Sequence, residues 1–167
     1  IRGIRVESLY DSKFTNKKLL GYNNFMDFST NLYDFIFDHA VEGIFQSTPQ
    51  GRYLRVNKAM AKIYGYDSPQ DMIDSVADIS LQIHTSPKTR EEFQLVLGEQ
   101  KTVEGFVAQN KRKDGTIIWT ATNAIVMSDP QGNILYYFGF VQDITAIKQT
   151  ERALDETETR YRTLVEQ

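Results

Sequence analysis

Across residues 105–145 two turn sequences join three strand-like runs, the last of which stops at Asp143-Ile144-Thr145 and becomes a charged helix. A chain carrying this stretch must build an antiparallel meander, and its sheet is wired to whatever follows. Lys113-Asp114-Gly115 suits a three-residue hairpin loop, a type I turn closed by a left-handed Gly. Asp129-Pro130-Gln131-Gly132 has Asp at the first turn position, Pro at the second and Gly at the fourth. The runs 117–122 and 134–141 are rich in Ile, Thr, Tyr, Phe and Trp, which fit a pleated, half-buried surface.

Upstream, Phe25, Phe28, Leu32, Phe35 and Ile36 recur at three- and four-residue spacing and predict an amphipathic helix over 25–39. Residues 43–46 and 53–56 read as short strands joined at Thr48-Pro49-Gln50-Gly51. Asn57 is placed to cap a helix over 58–64, with Gly65 as its left-handed stop. Ser68-Pro69 and Ser86-Pro87 each set a capping hydroxyl before a Pro at the first helical position. The second should open a helix carrying Phe93, Val96 and Leu97 and ending at Gly98, while residues 72–83 show the poorest periodicity. Two strands, several helices and three strands make one antiparallel sheet with helices packed on one face, an α+β architecture. Residues 1–24 read as a linker or the end of a preceding domain, 25–145 as the domain with its N-terminal helix, and 146–167 as an exit helix.

At 167 residues and 41% hydrophobic content the chain fits one domain plus appendages. The absence of cysteine excludes disulfides, thiolate nucleophiles, cysteine metal sites and cysteinyl-chromophore adducts, and suits a cytoplasmic location. A net charge of -3 with mixed signs argues against a nucleic-acid face, and the basic run Lys111-Arg112-Lys113 reads as a solvated hairpin tip. No apolar run reaches membrane-spanning length, so membrane contact is not expected of this segment, and the start Ile1-Arg2-Gly3 reads as a cut from something longer. Neither His39 nor His84 sits in a metal-ligand or nucleophile pattern, and no Gly-rich loop with a Lys precedes a helix, so a non-catalytic role is expected. In the tail Ile147, Leu154 and Tyr161 lie seven apart, each followed three residues later by Thr150, Thr157 or Leu164. This weak heptad suits a helix that shifts more than one built for permanent pairing.

The blocks His39-Ala40-Val41-Glu42-Gly43-Ile44-Phe45, Val56-Asn57-Lys58-Ala59, Tyr64-Gly65-Tyr66, Arg112-Lys113-Asp114-Gly115-Thr116-Ile117-Ile118-Trp119 and Gly139-Phe140-Val141-Gln142-Asp143-Ile144-Thr145 follow one another in order. Together they resemble a PAS domain of bacterial sensory proteins, over roughly residues 32–154. The resemblance implies a cytoplasmic sensor module that binds a small molecule or pairs as a homodimer. It also implies relay along the C-terminal helix to an output domain in the same chain, such as a histidine kinase or cyclase. Residues 160–166 also resemble the entry helix of another such domain, which would make 146–167 a signalling helix leading onward.

The three-residue loop puts Asn110 on one face with Ile118, Thr120, Thr122 and Ala124. The resemblance turns that face, with Tyr137, Gly139 and Val141, toward the helices and a pocket. The pocket candidates are Phe45, Met60, Ile63, Tyr64, Phe106, Asn110, Ile118, Thr120, Thr122, Tyr137 and Val141. Small groups at Thr120, Thr122, Ala124 and Gly139 leave room, Asn110 and the hydroxyls would orient a ligand's polar end, and a larger ligand would need the 72–83 segment to swing. The same residues also read as an ordinary packed core with no ligand. Light-sensing flavin members carry amides where Thr120 and Val141 stand and need a cysteine, and haem members place their ligand within the helix that follows His84. The cofactor therefore stays unknown, with flavin and haem disfavoured.

The opposite face carries Ile117, Trp119, Ile125, Met127, Phe138 and Phe140, too much apolar surface to stay bare. The 25–39 helix, through Phe28, Leu32, Phe35 and Ile36, is the expected cover, from the same chain or from a partner in a symmetric dimer. At the junction Asp143 or Thr145 would cap the exit helix, Asp143 would hold Arg112, and Ile144 would anchor the joint in the outer cluster. A constitutive dimerisation scaffold without a ligand is the competing reading.

Overall fold

The computed structural model describes residues 32–165. The expectations for residues 1–24, Phe25, Phe28 and Glu166 lie outside the described residues. Contacts divide the chain at residue 37, so the helix α1 (residues 32–39) and the domain from Asp38 onward are described separately. In α1 the anticipated stripe Leu32, Phe35 and Ile36 is exposed, and Phe37 is the buried side chain, its ring 5.9 Å from that of Tyr33. Tyr33 and Phe37 are also four apart, so spacing alone admits a second stripe beside the expected one.

The domain runs β1 (Gly43–Ser47), β2 (Tyr53–Val56), α2 (Lys58–Tyr64), α3 (Pro69–Ser75), α4 (Ile79–Gln82), α5 (Pro87–Gln100), β3 (Thr102–Lys111), β4 (Ile117–Ser128), β5 (Ile134–Asp143) and α6 (Thr145–Val165). All strand pairs are antiparallel in the order β2-β1-β5-β4-β3, the α+β sheet expected.

One turn recurs in all three hairpins. Thr48, Arg112 and Asp129 each donate their N–H to the carbonyl four residues on, at 2.8, 2.8 and 3.0 Å. Their own carbonyls accept from Gly51, Gly115 and Gly132, which stand at φ 84, 86 and 87. These are three-residue loops closed by a left-handed residue, and only glycine takes that conformation without strain.

The register puts Asn110 opposite Ile118, Thr122 opposite Val141 and Ala124 opposite Gly139, with all six buried against the helices. Asn57 caps α2 by accepting from Met60 N at 2.8 Å, and its side chain also accepts from Ile44 N and donates to the Glu42 carbonyl, tying α2 to β1. Two expectations are corrected. Helix α5 runs through Gly98 to Gln100, because Lys101, at φ 62, takes the left-handed stop and donates its N–H to Leu97 O. The 72–83 segment, read as the weakest, carries four of the best-buried side chains, Met72, Val76, Ile79 and Ile83. Their spacing of four, three and four is helical, but the break between α3 and α4 hides it.

Candidate functional site

Between the inner sheet face and the helices lies a cavity of about 30 Å³. A water needs roughly 10–15 Å³ by the same measure, so the space holds two or three water-sized atoms. Its wall includes Phe45, Met60, Tyr64, Phe106, Asn110, Thr122 and Val141 from the expected set. Ile63, Ile118, Thr120 and Tyr137 pack around it without lining it. The room expected at Gly139 is occupied, because the Phe45 ring lies where its side chain would be. Phe93 fills more, meeting Phe106 and Tyr137 edge-on at 5.4 and 6.3 Å.

The polar wall is organised by Asn110. Its amide donates to Tyr64 Oη and Thr120 Oγ1, both at 2.8 Å, so its carbonyl oxygen must be the acceptor for His84 Nδ1 at 2.9 Å. That assigns the imidazole proton to Nδ1. Burial lowers the His84 pKa to about 4 against the Asn110 hydrogen bond that would raise it, and the nearby Arg90 and Lys111 charges lower it further. The ring is therefore neutral near pH 7. Burial likewise pushes the Tyr64 hydroxyl well above its ordinary value. Asn110, expected to orient a ligand, thus has three protein partners of its own, with both amide protons donated.

His84 and Arg90 are wall residues that the sequence reading missed. His84, itself outside any strand, pairs with Asn110 of β3 through an isolated antiparallel bridge. Arg90 is 5% exposed, and Arg90, Phe93 and Leu97 form the buried face of α5. The spacing of three and four was available in the sequence, and a charged residue on an apolar stripe was its signal.

At the β5–α6 joint Asp143 Oδ1 accepts from Thr145 N and Oδ2 accepts from Arg112 Nη2, both at 2.9 Å. Burial pushes its carboxyl upward, but the Thr145 and Arg112 hydrogen bonds outweigh this and hold its pKa below the ordinary value. Thr145 does not cap the helix with its hydroxyl. Its Oγ1 instead accepts from Trp119 N at 3.0 Å while Ile144 N donates to Trp119 O at 2.9 Å, so the joint grips β4 by both backbone groups of one residue. Ile144 is buried.

The expected solvated tip is corrected as well. Lys111 Nζ donates to Leu81 O, Arg112 pairs with Asp143, and Lys113 Nζ pairs with Asp71 at 2.7 Å over the Tyr66 ring. The basic run straps the β3–β4 hairpin to three different elements.

A family model for the PAS domain matches residues 41–146, more than half of the chain. The chain belongs to the PAS domain family. PAS domains are sensory modules of signalling proteins and are generally non-catalytic. No curated protein matches this sequence. Among solved structures, the PAS domain of a protein from Colwellia psychrerythraea is 21% identical with a TM-score of 0.59, covering 70% of this chain and 98% of that one. A domain of a sensory box sensor histidine kinase/response regulator from Geobacter sulfurreducens is 20% identical with a TM-score of 0.56, covering 71% and 96%. A PAS domain, in complex with ethanol, of a LuxR-family transcriptional regulator from Burkholderia thailandensis is 16% identical with a TM-score of 0.55, covering 67% and 96%. At these identities the structural likeness shows the fold alone.

On the outer sheet face of this PAS domain Ile117, Ile125, Met127 and Phe140 are exposed, while Trp119 and Phe138 are half-buried. The rings of Phe138 and Phe140 meet at 5.5 Å. Among the described residues no helix is long and apolar enough to cross a membrane, and no cluster of His, Asp or Glu could hold a metal ion.

Proposed function

We propose that this PAS domain is a cytoplasmic, non-catalytic sensory module whose core cavity takes a small ligand and whose β5–α6 joint relays the change to an output domain of the same polypeptide. The observation that carries the reading is the double hold on Trp119. Its neighbour Thr120 hydrogen-bonds Asn110 at the cavity wall, and Thr120 also stands opposite Asp143 in the β4–β5 register. Cavity and exit helix therefore share adjacent residues of one strand, and a shift of Asn110 is one residue from the grip on α6.

A cavity of this size favours a ligand of a few atoms over flavin or haem, since sites for drug-sized ligands run to about 300 Å³ and more. Thr120, Val141 and the missing cysteine weigh the same way, so the purified protein should be colourless. The ethanol complex of the Burkholderia relative gives a precedent for so small an occupant.

The test is Asp143→Ala in the full-length protein. Output activity should shift while the domain still folds. Equal loss of folding and output would make Asp143 structural only, and unchanged output would remove the joint from the mechanism. A constitutive dimerisation scaffold is the second reading, favoured by the exposed outer face. It predicts an output insensitive to any small molecule.

A further inference from the structure

The polar groups of the Asn110 network satisfy one another, whereas Arg90 is left incomplete. A guanidinium offers five N–H donors and stays charged in proteins. Among the described residues the Arg90 side chain makes one hydrogen bond, from Nη2 to Thr48 O at 3.2 Å, and its Nε is buried with no partner. The Phe93 and Tyr137 rings lie 5.6 and 5.4 Å from its central carbon, which softens the charge but supplies no acceptor. Asp78 acts on it from beyond salt-bridge distance, with its Oδ1 accepting the Ser80 N–H and hydroxyl at 2.8 and 2.6 Å. A second buried orphan, Ser47 Oγ, belongs to the residue opposite Tyr137 in the β1–β5 register.

A buried cation with unmet donors is costly until an anion completes it, and a planar fork best matches a carboxylate. We propose that the ligand of this cavity is a carboxylate with a formate-sized head, held by Nε and the free Nη protons of Arg90. The proposal rests on the cavity reading above and adds the chemical class. The volume admits a formate-sized head and excludes long chains, and a neutral ligand would leave the charge as it is.

The experiment is an NMR titration of the whole chain with sodium formate and sodium acetate at constant ionic strength, read at the Arg90 Nε–Hε resonance and the Tyr137 amide. Sodium chloride is the anion control and ethanol the neutral comparator. Saturable shifts in the range of about a millimolar are expected for a carboxylate. Affinity should fall at least about tenfold in Arg90→Met, and ethanol should bind both proteins. Ethanol binding without carboxylate binding would overturn the proposal and leave the cavity reading standing. Absence of binding by every probe would overturn both, and equal shifts with chloride would overturn the carboxylate assignment. Should Arg90→Met fail to fold, the Nε–Hε shift of the unaltered protein decides, with Arg90→Lys as the second variant.

Discussion

At Gly139 the missing side chain makes room for the core's own packing. A Cβ there would stand 2.7 Å from the Phe45 ring and from Asn123 O, so Gly139→Ala should cost about 1–3 kcal/mol through overpacking. A urea midpoint unchanged from the parent would show that Phe45 has another place to go. Gly98, in the interior of α5 with open space around its Cα, is the counterpart: Gly98→Ala should gain about 0.4–1 kcal/mol. His84 gives a pH signature. Its pKa is about 4 folded against an ordinary 6.5, so between those values the unfolded chain binds the extra proton. Stability should therefore fall on acidification from about pH 6.5 to 4, by roughly 3 kcal/mol for this group, and level off below. The advantage of the parent over His84→Gln in urea unfolding should accordingly shrink by that order between pH 7 and 4. A constant difference across the range would refute it. None of this was legible for His84, because a lone imidazole between elements carries no periodic signal, whereas Arg90 was legible and overlooked.

At the scale of elements, what the sequence showed well was local. Each hairpin needs a Gly at one position, and each cap needs a short polar side chain before a helix, so Gly51, Gly115, Gly132, Asn57, Ser68 and Ser86 announce themselves. What depended on partners across the fold did not show. Lys111 and Lys113 look like a solvated tip until α4 and α3 arrive beside them, whereas the Arg112–Asp143 pair was expected from the sequence and is present. The junction illustrates both. Asp143-Ile144-Thr145 was recognisable as a strand-to-helix switch, but the Thr145 hydroxyl serves β4, where it extends the ladder one step past β5. Thr145→Val keeps the shape and removes that acceptor, leaving Trp119 N–H short of a partner. A loss of about 1–3 kcal/mol is expected, together with faster amide exchange at Trp119 and in the first turn of α6. Exchange unchanged at Trp119 would mean the contact contributes nothing to holding the helix.

At the scale of the whole molecule, exposed apolar surface calls for a cover. Two candidates stand apart: the outer sheet face around Phe138 and Phe140, and the α6 stripe of Ile147, Leu154, Tyr161 and Leu164, all exposed. The stripe is the weaker seam. Two of its positions are Thr150 and Thr157, whose hydroxyls donate back to Ala146 O and Ala153 O and so are turned to their own helix. The sheet face offers paired aromatic rings on a rigid strand, which lose little conformational freedom on contact. A homodimer held mainly through the sheet is therefore expected at tens of micromolar, on the order of 6 kcal/mol of association free energy. Phe138→Ser with Phe140→Ser should shift sedimentation to the monomer, since truncating a buried aromatic side chain typically costs about 3–5 kcal/mol. Leu154→Ala should leave the dimer largely in place. The reverse pattern would assign the interface to α6, and a monomeric parent at that concentration would show that one chain covers its own sheet.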